Sequence, residues 1–182
     1  MFFTLQRSIF LVVVFSFSCL FTNAQTNSYQ KIAAKVDSLA NAGLPQSALK
    51  EVEILDREAR RNNNPAQQIR AAIYRITFIS YIREDAIESV IERLKADIVQ
   101  AEFPVKPVLQ SVLAQTYFKY YQQNRWKFSQ RSTLENRDTS FKNWDLSALV
   151  REATALYKHS MDNESRLRET KVDVLEIGRA HV

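Results

Sequence analysis

Apolar residues return every three or four positions along most of this chain, the spacing of one buried face of an α-helix. The first such stripe is Tyr29, Ile32, Ala33, Val36, Leu39 and Ala40. Gly43-Leu44-Pro45 interrupts it. Glycine suits the left-handed position that caps a helix, and proline the first position of the next one. A second helix is expected from about Gln46 to Arg61, with Ala48, Leu49, Val52, Leu55 and Ala59 on one side. Asn62-Asn63-Asn64-Pro65 closes it, because asparagine tolerates caps and turns and Pro65 can open a helix. The third helix, about Pro65 to Ile82, carries Ile69, Ala72, Ile73, Ile76 and Ile79 on one face and Tyr74, Phe78 and Tyr81 elsewhere. A helix that is apolar on most sides belongs between others.

A fourth helix, Glu84 to about Ala101, aligns Ala86, Ile87, Val90, Ile91, Leu94 and Ile98. Phe103-Pro104-Val105-Lys106-Pro107 is a break, since each proline pushes its predecessor out of the α region. The fifth helix, about Pro107 to Gln123, carries Val108, Leu109, Val112, Leu113, Thr116, Tyr117, Tyr120 and Tyr121. Residues 124–143 are polar and aperiodic and read as a long loop. Asp145 then caps a sixth helix whose inward face is Leu146, Leu149, Val150, Ala153, Leu156, Tyr157 and Met161.

Helices joined by short turns imply antiparallel hairpins. The predicted fold is all-α, a tetratricopeptide-like or helical-repeat-like array of about six helices. Gly43 and Ala48 stand five apart, as the turn glycine and packing alanine do in tetratricopeptide repeats. Pro65 falls too late for the terminal proline of that repeat, so the match is partial. Composition agrees with the all-α reading. The chain has two glycines, Gly43 and Gly178, and four prolines, too few for sheets joined by tight turns.

The ends carry different messages. Met1 to Ala24 holds one basic residue, Arg7, and an uncharged apolar run from Ile9 to Phe21. It closes with Thr22-Asn23-Ala24, small side chains where a signal peptidase cuts. The apolar run falls short of the ~20 residues a membrane-spanning helix needs. Residues 1–24 therefore read as a signal peptide cleaved before Gln25, and the expected location is the periplasm or cell envelope. The only cysteine, Cys19, lies inside that leader, so the mature chain has no disulfide and relies on core packing. A lipid-modified Cys19 is disfavoured, because Ser16-Phe17-Ser18 lacks the aliphatic residue expected three positions upstream. At the other end, Glu176 to Val182 (Glu-Ile-Gly-Arg-Ala-His-Val) reads as a translated sequencing adapter, a non-native scar. On that reading residues 25–175 are a helical N-terminal domain and a fragment of a longer protein.

Charge and chemistry narrow the function classes. Formal net charge is +5, with 25 Lys and Arg scattered among 20 Asp and Glu. No run of five like charges appears, so the clustered footprint of a nucleic-acid binder is missing. His159 and Asp162 stand at helical i,i+3 spacing, but a lone histidine beside a carboxylate is ordinarily a surface or capping residue. Gly-x-Ser-x-Gly elbows and glycine-rich phosphate loops are absent from the sequence. Glu84, Asp85, Glu88 and Glu92 read as a solvated face. The chain is expected to be non-catalytic and to hold no metal or cofactor.

The richest stretch is Tyr117 to Ser132. Its tyrosines read as core. Gln122, Gln123, Arg125, Trp126 and Lys127 form a candidate interaction surface, since Trp and Arg dominate interface energetics and a cation can stack on the indole. The Arg-Trp-Lys group suits a loop anchor and a docking site equally well.

Gly43 to Leu49 (GLPQSAL) and Phe103 to Ser132 (FPVKPVLQSVLAQTYFKYYQQNRWKFSQRS) resemble the N-terminal region of large bacterial alpha-2-macroglobulin-like proteins, a likeness running from about Tyr29 to Leu175. Members of that family are exported protease traps, many with a Cys–Gln thioester. The resemblance implies a parent endopeptidase inhibitor whose β-sandwich domains follow this segment and are its docking partners. It implies only a supporting role here, because the mature chain has no cysteine for a thioester. The alternative is a stand-alone periplasmic adaptor that binds a protein or peptide in a concave helical face.

Overall fold

The computed structural model describes residues 28–129 and 140–170. The expected leader and tail, and the centre of the expected loop, lie outside these residues. Six long helices carry the architecture: α1 (28–41), α2 (Pro45–Arg61), α3 (Pro65–Ile82), α4 (Ala86–Gln100), α5 (Val105–Gln123) and α7 (Leu146–Ser160). Two short ones, α6 (Arg125–Ser129) and α8 (Glu164–Glu169), and a 3-10 turn at Phe141–Asn143 complete it. Among the described residues there is no strand.

The first two turns are built alike. Gly43 has φ +71, its N–H bonds Ala40 O at 2.9 Å, and Leu44 N–H reaches back to Leu39 O at 3.0 Å. Twenty residues on, Asn63 has φ 48, with Asn63 N–H on Arg60 O at 3.1 Å and Asn64 N–H on Ala59 O at 2.8 Å. Both satisfy the last carbonyls of a helix through the paired bonds of a Schellman cap, and proline opens the next helix in each. The three asparagines divide the work. Asn62 Nδ2 donates to the Tyr29 hydroxyl at 2.9 Å, Asn63 takes the left-handed position, and Asn64 Oδ1 accepts from Gln67 N–H at 3.2 Å as the N-cap of α3. Asp145 caps α7 likewise, accepting from Ala148 N–H at 2.7 Å.

Neighbouring helices run antiparallel, and α3 is the wall shared by two apolar cores. On one side, Ala71 and Phe78 meet Tyr29 and Val36 of α1 and Val52 and Leu55 of α2. On the other, Ile69 and Ala72 meet Ile91 and Leu94 of α4 and Leu109 and Leu113 of α5. The same core continues to Leu149 and Leu156 of α7. This explains why α3 is apolar on most sides.

Several expectations need correction. The loop expected at 124–143 is helical at Arg125–Ser129 and forms the 3-10 turn at Phe141–Asn143. α5 begins at Val105 rather than Pro107. Proline is tolerated there because the first N–H groups of a helix have no partner within it. α4 begins at Ala86 rather than Glu84, after a turn in which the Arg83 guanidinium grips Asp85 at 2.8 and 3.0 Å. The face of α7 is also narrower than its sequence suggests. Leu149 and Leu156 are buried, whereas Leu146, Val150, Tyr157 and Met161 are exposed. Helix α7 packs on α5 with no further long helix on its outer side among the described residues.

Candidate functional site

The end of α5 is held by aromatic packing. Tyr120 and Tyr117 are buried, their rings edge-on to Phe141 at 5.3 and 6.0 Å between centroids, and Trp144 lies 5.7 Å from Tyr117. Burial raises the Tyr117 hydroxyl above its ordinary range, with the negative charges of Glu152 and Glu92 acting in the same direction. The reading of these tyrosines as core is correct. Past Tyr120 the chain turns: Asn124 Nδ2 donates to Tyr120 O at 2.9 Å, and Lys127 N–H returns to Asn124 O at 2.8 Å. Helix α6 then drives Phe128 inward, edge-on to Tyr120 at 6.0 Å and Tyr121 at 5.5 Å.

That anchor decides where Trp126 points. Two residues before Phe128 on the same helical turn, it lies on the opposite side and is 63% exposed. Lys127 Nζ sits 5.5 Å from the indole centroid, close enough for a cation–π contact. Gln122, Gln123 and Arg125 are exposed around it, and Phe118 adds a second surface ring, 55% exposed and 6.4 Å from Tyr121. The structure thus brings the five sequence-derived residues to one stretch of surface. The loop is anchored by Phe128, which the sequence reading did not single out.

A concavity of about 480 Å³ lies where α2, α3 and α4 meet. Leu49, Ile79 and Ile82 form its floor, and Arg83, Asp85, Glu88, Glu92 and Lys142 its rim. The rim charges are paired. Lys142 Nζ reaches Glu88 at 2.6 Å, which raises the lysine above its ordinary range, and the hydrogen bonds from Arg83 hold Asp85 down at about 2. Asp85, Glu88 and Glu92 are each held in an ion pair, with Arg83, Lys142 and Lys95 respectively.

His159 Nδ1 stands 3.0 Å from Asp162 Oδ2, so the expected pair does form, on the open surface. Among the described residues no group of three potential metal ligands converges. No helix of these residues is long and apolar enough to cross a membrane.

The feature that sequence reasoning missed is a buried charge cluster. Arg75, only 2% exposed, rises from α3 between α2 and α4. Its guanidinium reaches Glu53 at 2.8 Å, Asp56 at 3.1 Å and Asp97 at 3.1 Å. Arg60 bonds Asp56 at 3.0 Å, and Arg93 lies 3.3 Å from Asp97. Three arginines thus face three carboxylates. Burial pulls the Arg75 pKa down, but the Glu53 hydrogen bond and the charges of Asp97 and Asp56 outweigh it and leave it raised. A signal was present: Arg75, Asp56 and Asp97 each interrupt an apolar stripe at a core-facing position. The cluster links three helices, and among the described residues Asp56 Oδ1 is its buried oxygen without a hydrogen-bond partner.

Comparison with protein-family models, with curated proteins and with solved structures gives no match.

Proposed function

We propose that this chain is a non-catalytic helical scaffold that docks on other protein domains through the α5–α6 surface around Trp126. The observation that carries the proposal is the outward indole, with Lys127 over it and Phe118 nearby, on a turn fixed from within by Phe128. A large apolar ring held rigidly in water, beside cations and amides, has the composition of an interface centre. Pre-fixing it lowers the ordering cost of association.

The partner follows from the resemblance of Gly43–Leu49 and Phe103–Ser132 to alpha-2-macroglobulin-like proteins. The segment would stand at the N-terminus of an exported endopeptidase inhibitor, in the periplasm or cell envelope, and support the domains that follow. The coding sequence after Leu175 tests this: in-frame β-sandwich domains are the expected result, and a natural stop codon there contradicts it.

A stand-alone adaptor is the second reading, favoured by the apolar floor of Leu49, Ile79 and Ile82 in the groove between α2, α3 and α4. A peptide bound in that groove is displaced by Ile79→Lys and unaffected by Trp126→Ala. The reverse pattern marks docking through the α5–α6 surface.

A further inference from the structure

The first and last long helices among the described residues treat solvent differently. The outer positions of α1, including Gln30, Lys31, Ser38 and Asn41, are mostly polar or charged, as suits a helix face turned to water. Helix α7 instead exposes Leu146, Val150 and Tyr157, as well as its C-cap residue Met161, each between 39% and 59% accessible. They lie on one stripe of the helix, with exposed Thr154 at its middle and half-buried Ala153 beside it.

We infer that this stripe pairs with the same stripe of a second copy of the chain, the two α7 helices running antiparallel about a two-fold axis beside Ala153 and Thr154. The register carries the inference. Steps of four, seven and four residues separate Leu146, Val150, Tyr157 and Met161, so the stripe reads the same from either end. In the antiparallel pair Leu146 therefore faces Met161 of the second copy and Val150 faces its Tyr157. At the axis the side chains are small, which lets the two backbones approach closely. An isologous interface needs this self-complementarity. The same surface sets the strength. Four large side chains from each copy are far fewer than the ~20–30 residues a side of a standard interface. Arg151 and Lys158 border the stripe on one edge, where the two-fold brings like charges together. The dimer is therefore weak and strengthens as salt screens that edge.

Sedimentation equilibrium of the expected mature chain, which starts at Gln25 and has no cysteine of its own, reads this directly from low micromolar to millimolar protein. The weight-average mass should climb from monomer towards dimer, more steeply at high salt. Val150→Lys should weaken association about tenfold or more by forcing a charge into the contact, with an unchanged melt because Val150 faces solvent in the monomer. Register is read by oxidation. Thr154→Cys should cross-link two copies, and Leu146→Cys should do so only when combined with Met161→Cys. A mass that stays monomeric assigns the stripe to a later helix or another protein and overturns the inference. So do association that weakens with salt, insensitivity to Val150→Lys, and Leu146→Cys cross-linking alone as fast as Thr154→Cys.

Discussion

Arg75 of α3 donates from Nη1 to Asp97 Oδ2 of α4 at 3.1 Å, and both side chains are almost sealed from solvent. Charges placed this way stabilise little by themselves, because the cost of desolvation offsets most of the attraction. Breaking the set is different, since it strands uncompensated carboxylates. Arg75→Met should lower unfolding free energy by about 3–5 kcal/mol in urea titrations at neutral pH. Replacing Arg75, Asp56 and Asp97 together with apolar residues should recover most of that loss. A single-variant loss below about 1 kcal/mol would show that the cluster does not hold the helices in register.

Phe128 and Trp126 should part company under substitution. Phe128→Ala opens a cavity against Tyr120 and Tyr121 and should cost about 3 kcal/mol by denaturant unfolding. Trp126→Ala removes an exposed ring and should stay within about 0.5 kcal/mol of the parent. Equal losses would mean that the indole, too, belongs to the core.

Gly43 tests the turn chemistry. A Cβ there meets nothing within 4 Å, so Gly43→Ala pays only the left-handed backbone penalty, about 1–2 kcal/mol in a thermal melt. Gly43→Asn should cost less, because the chain itself uses Asn63 at the equivalent position of the next turn. An alanine variant as stable as the parent would refute the assignment.

Alkaline pH should weaken the α1–α3 contact. Burial, together with the 2.8 Å hydrogen bond to Asp37, raises the Tyr74 hydroxyl from 10.0 to about 12. A phenol whose folded-state value is raised contributes stability that is fully present below 10.0 and is lost as pH rises through about 12. Melting temperature should therefore fall across that window, and Tyr74→Phe should fall less steeply. Parallel curves for the two proteins would show that Tyr74 is not the titrating group.

Much of the helical layout was legible because each signal was local. Apolar spacing marked the long helices, and Gly43, the Asn62–Asn64 run, Pro65 and Asp145 marked where they stop and start. What was hidden depended on partners distant in sequence. Phe128 becomes an anchor only where α6 folds back on Tyr120, and nothing in an aperiodic stretch announces that return. Leu146, Val150, Tyr157 and Met161 read as inward because periodicity reports an apolar face, not whether a neighbour covers it. Arg75 was passed over because a charged residue within an apolar stripe looks like noise until opposite charges on two other helices are brought to it. The five residues of the candidate surface were found from composition alone. Their exposure was not, since the same residues would suit a buried plug.

The docking role is tested most directly by adding this helical segment in trans to the polypeptide encoded after Leu175 and measuring binding by calorimetry. The account predicts in-frame β-sandwich domains that bind the segment, with affinity lost in Trp126→Ala while its melt stays unchanged. A stop codon at that point, or full-strength binding by Trp126→Ala, would contradict it.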